Sequence, residues 1–283
     1  MKLKTLATLA LSAVVTFTAT SSFAGEVIDR IIQNKTFNVG SRESSVPYSE
    51  KTADGYKGYS QEICAIIHAE FDKQHHVTTK INNVPVDGTT RWPATQSGNV
   101  DAECGSTTAK EEKKNNFDFA VIDSDSVVVA ALGSNTKIKS LEGLKDLRIV
   151  VVAGTTGEIA INQLKNKNNW NPQIHSVKEY TLALREVENG TADVFITDKD
   201  LLVGTIKKSG NDKLKVRDDL VLVPHEPIAI VTSKKDPEFS AFVKGKILSM
   251  IKDGSLWKLH DKYFGPLGLS LTEVQKKAIA EQR

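Results

Sequence analysis

Apolar positions along the chain follow two periods, and the switching between them predicts the order of elements. Short apolar or alternating runs at 37–39, 78–84 and 100–104 predict strands. Residues 60–71 instead place Ile63, Ile66, Ile67 and Phe71 on one helical face, with Ser60 as the expected N-cap. A short helical or irregular stretch around Pro93 (91–96) and a polar helix at 110–115 complete a βαβαβ unit, which requires a parallel sheet. The pattern then repeats. Strands are predicted at 127–132, 148–153, 173–176, 194–197, 221–223 and 228–232. Helices are predicted at 156–166, 180–188, 201–208, 239–253 and 256–264, with a short connector at 140–144. The run 148–153 is apolar throughout, as a strand covered on both faces should be.

No low-complexity linker or short-period repeat separates the two units. The expected architecture is therefore α/β with two lobes, each a mostly parallel sheet flanked by helices. Two hinge crossovers, near 123–126 and 224–227, would join them. The first lobe would comprise residues 25–124 and 227–283, and the second 125–226.

The first 24 residues follow a different logic. Lys2 and Lys4 precede a mostly apolar stretch, and Ser22-Phe23-Ala24 puts small residues where a signal peptidase cuts. A cleavable secretory signal ending at Ala24 is expected, and with it a periplasmic location. Its removal from the 283-residue chain takes away two lysines and no acid, leaving 35 basic and 35 acidic residues. A neutral chain is not a nucleic-acid binder, which should be visibly basic. No other segment is apolar enough to suggest a membrane span. Cys64 and Cys104 would meet an oxidising compartment, where a disulfide and two separately buried thiols are both open.

Chemistry gathers at strand ends. The strand-like 36–40 runs into Ser41-Arg42-Glu43-Ser44-Ser45-Val46-Pro47-Tyr48, a polar loop carrying one guanidinium. Ligands of α/β sheets sit outside the carboxyl ends of strands, and an arginine fork there suits a carboxylate or phosphate. An exposed turn arginine remains the alternative. Gly154-Thr155-Thr156 follows a strand and opens a helix, so its N–H groups and the helix dipole favour an anion. Thr155 and Thr156 could equally be ordinary helix-capping residues. There is no zinc-type His/Cys cluster, no Gly-x-Ser-x-Gly elbow and no phosphate-cradling loop with lysine. His75-His76 reads as solvated rather than metal-binding.

Five segments in this order resemble the periplasmic amino-acid-binding proteins of ABC importers, solute-binding protein family 3. They are Arg42-Glu43-Ser44-Ser45-Val46-Pro47-Tyr48-Ser49, Gly58-Tyr59-Ser60-Gln61, Glu103-Cys104-Gly105-Ser106-Thr107-Thr108, Gly154-Thr155-Thr156-Gly157-Glu158, and Asp253-Gly254-Ser255-Leu256-Trp257 through Lys262-Tyr263-Phe264-Gly265. The resemblance spans the chain beyond the leader and is nearest to the members that bind glutamate and aspartate. It implies a type II periplasmic-binding-protein fold, a monomeric receptor without cofactor or metal, and a membrane permease as partner.

The resemblance also implies roles. Arg42 and Arg91 would neutralise the ligand carboxylates, and Asp198 would pair with the α-ammonium. Ser106 and Thr108 would bond ligand backbone groups, and Thr155 and Thr156 would form the second-lobe carboxylate loop. Arg91 could instead pair with Asp87, and Asp198 could cap the helix at 201–208 unless Asp200 does so.

Three positions depart from the acidic-ligand pattern. Lys113 stands for an arginine and so lacks the bidentate fork. Gly88 stands for a serine. Tyr180 stands for a histidine, though a phenol can still donate to a carboxylate. Two other functions fit the same fold. One is a periplasmic enzyme such as a cyclohexadienyl dehydratase, with Glu43 as the acid or base. The other is a sensor for a membrane signalling partner.

Overall fold

Residues 25–136 and 138–282 are described in the computed structural model, and the expected leader, 1–24, lies outside the described residues. Helix α1 (Glu26–Asn34) leads into β1 (Thr36–Ser41). A small antiparallel sheet follows, made of β2 (Ser44–Ser45), β3 (Ser49–Thr52) and β4 (Gly55–Lys57). Next come α2 (Tyr59–His75), β5 (Lys80–Pro85), α3 (Arg91–Ser97), β6 (Ala102–Thr108) and the long β7 (Phe117–Leu132). The second unit contains β8 (Arg148–Val152), α4 (Thr156–Asn168), β9 (Gln173–Val177), α5 (Tyr180–Glu188), β10 (Val194–Asp198), α6 (Lys199–Ser209) and β11 (Leu214–Arg217). β12 (Val223–Ser233) returns, and α7 (Pro237–Lys252), α8 (Ser255–Phe264) and α9 (Glu273–Ala280) close the chain. Among the described residues no helix is long and apolar enough to cross a membrane.

The main sheet has the order β5-β1-β6-β12-β7-β10-β8-β9, with β11 on β7. Both outer ends are parallel: β5, β1 and β6 in one unit, β10, β8 and β9 in the other. The centre is antiparallel, because β7 and β12 pass between the units side by side. The two mostly parallel units and their two crossovers are as expected, and the crossover strands stay hydrogen-bonded to each other, which joins the units into one mixed sheet. β7 pairs with β12 over its first half and with β10 over its second, and Asp125 faces Glu226 at the passage. The predicted strands at 221–223 and 228–232 are therefore one strand, and β7 begins well before 127. Polarity hid the rest of β7, since Asp118, Asp123 and Asp125 break its apolar run although Asp123 and Asp125 are buried.

Period-2 alternation accounts for the cores. Val128, Ala130, Val150 and Val152 face one cluster, while Val127, Val129, Ile149 and Val151 face the other. Phe37 on β1 packs edge-on against Phe71, with ring centres 6.0 Å apart, and against Phe239 at 5.8 Å. Ser60 does not cap α2. That position belongs to Gly58, and the Ser60 hydroxyl, two residues further into the first turn, donates to Gly105 O at 2.7 Å. The polar helix expected at 110–115 shrinks to a single tight turn, Glu111–Lys113. Cys64 and Cys104 form a disulfide that ties α2 to β6 across 40 residues. In the chain-entropy model such a loop contributes about 4 kcal/mol.

Buried carboxylates gather where the chain crosses between units. Tyr48 Oη donates to Asp123 at 2.7 Å and to Asp200 at 3.3 Å, and Asp200 N donates to Asp125 at 3.0 Å. Asp123 and Asp125 lie on β7, Asp198 ends β10, and Asp200 and Lys199 open α6. His260 of α8 faces Asp123 at 3.6 Å. Burial, then the charges of Asp200, Asp198 and Asp123, push Asp125 well above the usual carboxylate range; burial and Asp123 do the same to Asp200.

These two groups hold protons in the folded protein at a pH where the unfolded chain has lost them. Their contribution is complete below the ordinary carboxylate pKa and erodes as pH rises through the raised values. Carboxylates held low, such as Asp87 at about 2, are ionised in both states above pH ~5 and add no slope there. The melting midpoint should therefore fall as pH rises above the ordinary carboxylate range, by roughly 2–4 °C per kcal/mol lost. Asp200→Asn should flatten that profile in a calorimetric series. A midpoint that rises over this range in the parent protein would contradict the reading.

Candidate ligand site

The strand ends converge on one cleft. Arg42 follows β1, Arg91 opens α3 after β5, and Ser106 and Thr108 lie within β6 rather than beyond it. From the second unit come Thr155 and Thr156 after β8, Tyr180 after β9, and Asp198 at the end of β10. This is the carboxyl-end arrangement of ligand sites in α/β sheets.

The Arg42 backbone is pinned before its side chain acts. Its N–H donates to Ser49 Oγ at 3.0 Å, and Ser49 Oγ donates back to Arg42 O at 2.8 Å. Gln61 Nε2 then bonds Ser49 Oγ at 3.1 Å and Cys104 O at 2.7 Å. The Gly58-Tyr59-Ser60-Gln61 segment thus locks the arginine loop onto β6.

The guanidinium of Arg42 is fully buried, and its carbon sits 5.2 Å from the centre of the Tyr180 ring. Burial pulls its pKa down, but Tyr180, Glu179 and Glu103 outweigh that and hold it above the ordinary value. Arg91 is also buried; burial lowers its pKa against the pull of Glu103, with the like charge of Arg42 adding to the drop. Arg91 donates from Nη1 to Thr107 Oγ1 at 2.6 Å and from Nη2 to Gly154 O at 3.3 Å. Asp87 is not its partner. That carboxylate accepts the backbone N–H groups of Thr89 and Thr90, each at 2.8 Å, and so builds its own turn.

Among the described residues, several buried polar atoms of this cleft lack a hydrogen-bond partner. They are Nε, Nη1 and Nη2 of Arg42, Nε of Arg91, Ser106 Oγ, Asp198 Oδ1 and both carboxylate oxygens of Glu103. Buried polar groups are normally satisfied, so such a concentration marks a place built to meet something else. Asp198 occupies the N-cap position of α6, yet its side chain makes no capping bond, and Asp200 turns to Tyr48 instead. Burial raises the Asp198 pKa, opposed by its own N–H, Thr197, Arg91 and Lys110.

Other expected residues are occupied within the protein. Thr155 caps α4 by accepting from Glu158 N, and its hydroxyl donates to Val152 O at 2.7 Å. Thr108 Oγ1 donates to Glu226 at 2.6 Å and lies 3.1 Å from Thr156 Oγ1, so these two hydroxyls bridge the cleft. Lys113 is not brought into the cluster; its ammonium sits 5.1 Å from the Trp92 ring centre. Lys110 stands closer, with its pKa lowered by burial and by Arg91 against Glu226 and Glu112.

Three charged members were not singled out in the sequence: Glu103, Lys110 and Glu226. Glu103 lay inside a quoted motif, but nothing in the pattern told its burial between two arginines. Glu226 lay in the predicted crossover; burial, then Asp198, raise its pKa to about 7.

Residues 37–266 match the model of the bacterial extracellular solute-binding proteins, family 3. The glutamate/aspartate import solute-binding protein of Escherichia coli K12 is 33% identical over 251 residues, covering 85% of this chain and 80% of that one. The L-glutamate/L-aspartate-binding protein of Pseudomonas aeruginosa is 30% identical over 268 residues, covering 89% and 87%. A solved mutant of ArgBP from T. maritima superposes with a TM-score of 0.75 at 20% identity, over 84% of this chain and 99% of that one. An ancestral amino acid-binding protein, described as a precursor of cyclohexadienyl dehydratase, does so with 0.72 at 28% identity, over 84% and 99%. The two-lobed fold is thus that of periplasmic amino-acid-binding proteins, and the chain belongs to the bacterial extracellular solute-binding proteins, family 3.

Proposed function

We propose that this protein is a periplasmic receptor that closes its lobes on an acidic amino acid, glutamate or aspartate, and delivers it to an ABC transporter permease. The carrying observation is the buried Arg42, whose three nitrogens find no acceptor among the described residues, together with the unpartnered oxygen of Asp198, whose charge acts on the neighbouring Arg91. Arg42 and Arg91 would take the two carboxylates, with Ser106, Tyr180 and the first N–H groups of α4 as further donors. Asp198 would take the ammonium. Thr108, Thr155 and Thr156 would shape the cleft, and Lys110 would supply the outer positive charge expected of Lys113.

Charge supports the acidic ligand. Arg42, Arg91 and Lys110 stand in one cluster, close enough to act on one another's charge, and a ligand with two carboxylates meets that concentration of cations. The lobes are taken as 25–124 with 227–283 and as 125–226, after removal of 1–24 and export. An enzymatic use of Glu43 is disfavoured: Lys51 bonds it at 2.8 Å and lowers its pKa, the reverse of a general acid's requirement.

The test is a thermal-shift and calorimetric series over the twenty amino acids and several dicarboxylates. A ligand that binds only the folded state must raise the midpoint. Glutamate or aspartate should shift it most; a shift confined to neutral or basic amino acids would overturn the acidic-ligand reading. Arg42→Ala should weaken glutamate binding by roughly 30-fold or more, as loss of a buried charge partner does. Unchanged affinity in a folded variant would remove Arg42 from the site. Asp198→Asn should cost roughly tenfold, the worth of a charge-assisted bond to the ammonium. It should cost much less for a dicarboxylate lacking the amine, and equal losses for both would refute the assignment.

A further inference from the structure

One face of β6 gathers an acid and two arginines. Side chains alternate along a strand, so Glu103, Gly105 and Thr107 share a face. Glu103 lies across from Gly40 of β1 on one side and Val231 of β12 on the other, and it is only 1% exposed. Gly105 is the gap beside it: a Cβ there would stand 2.4 Å from Glu103 Oε1 and 2.6 Å from Arg42 Cγ. Its φ is not positive, so glycine provides room here rather than an unusual backbone conformation. Thr107, next on the same face, accepts from Arg91 Nη1 at 2.6 Å.

An acid at the centre of a sheet is costly, and partners normally close around it. Glu103 is not closed in that way. Among the described residues both its oxygens lack a hydrogen-bond partner, as do all three nitrogens of Arg42. Arg91 directs its Nη groups to Thr107 Oγ1 and Gly154 O instead. The three groups still act on one another through charge. Burial raises the Glu103 carboxyl, with Arg91 the strongest opposing influence, and the Glu103 charge favours the protonated form of both arginines. A carboxylate whose role was to hold the arginines in place would bond them. One that acts by charge alone needs only to stay close, and it then acts on every charge that enters the cleft.

We propose that Glu103 sets the charge selectivity of the cleft: it opposes anions that arrive without an ammonium group, and so favours an amino acid over a plain dicarboxylate at the same two arginines. It repels the carboxylates of either ligand, but only the amino acid brings an ammonium that it attracts. The natural ligand in this proposal rests on the receptor reading; the effect of Glu103 on anions does not.

The experiment is calorimetric titration of the parent, Glu103→Gln, Glu103→Ala and Glu103→Asp with three ligands at about pH 8. Glutarate then carries two negative charges, L-glutamate one net and L-glutamine none. Ligand-free melting shows that each variant is folded. Glu103→Gln keeps the shape and removes the charge; it should tighten glutarate by roughly tenfold or more, L-glutamate by less and L-glutamine least. Glu103→Ala, neutral but smaller, should give the same order. Glu103→Asp keeps the charge and should preserve the parent's preference for L-glutamate over glutarate.

Equal changes for all three ligands in the neutral variants would mean a structural role and overturn the proposal, as would a weakening of glutarate. Should no amino acid bind the parent, the receptor reading fails. A gain in glutarate affinity in the neutral variants would then still uphold the charge role of Glu103, and its absence would remove it.

Discussion

A guanidinium without hydrogen-bond acceptors is among the most costly things a protein can bury, and the molecule is organised around one. Arg42 is fully enclosed, with Glu103, Glu179 and the face of Tyr180 around it but, among the described residues, no hydrogen-bond acceptor on any nitrogen. Breaking or omitting a buried charge partner costs several kcal/mol. The loop that carries it is accordingly over-determined: Ser49, Gln61, the small sheet and the α2–β6 disulfide all fix the backbone at Arg42. Preorganisation of this kind moves the cost of desolvation into folding, leaving the binding step to recover it.

The hinge solves a different problem. In a receptor that closes on its ligand, two lobes would move while the backbone groups between them stay satisfied. β7 and β12 do this by remaining paired through the passage, with register shifts that interrupt the ladder around Glu226 and near Ile228. The carboxylates Asp123, Asp125 and Asp200 sit beside that passage and share the Tyr48 hydroxyl and the Asp200 N–H. Burial and like charge hold Asp125 and Asp200 well above the usual carboxylate range, so the hinge carries one set of raised carboxyls and the cleft, at Asp198, another. Glu226 belongs to both sets, being on the hinge strand and bonded to Thr108 in the cleft.

Much of the fold was legible because strand and helix periods are strong in this chain. α5 occupies the residues its periodicity predicts, and β8 and β10 differ by one residue at an end. What escaped was short or polar, with one exception. β2 to β4 are too short to show a period, α9 buries only Ile279, and the first half of β7 carries acids that belong to the hinge; α1 was passed over although Val27, Ile28 and Ile31 mark a clear buried face. The site was legible at the level of strand ends: Arg42, Arg91, Ser106, Thr108, Thr156, Tyr180 and Asp198 do converge. The charges of Glu103, Lys110 and Glu226 were not, because burial and pairing with residues on other elements leave no local trace. Nor could sequence say that Lys113 would turn to Trp92.

The most direct measurement is a crystal structure of the secreted protein grown with L-glutamate. The account predicts one ligand carboxylate bidentate on Arg42 and the ammonium within hydrogen-bond distance of Asp198. A bound glutamate whose ammonium lies away from Asp198, with Arg42 still lacking any acceptor, would contradict it.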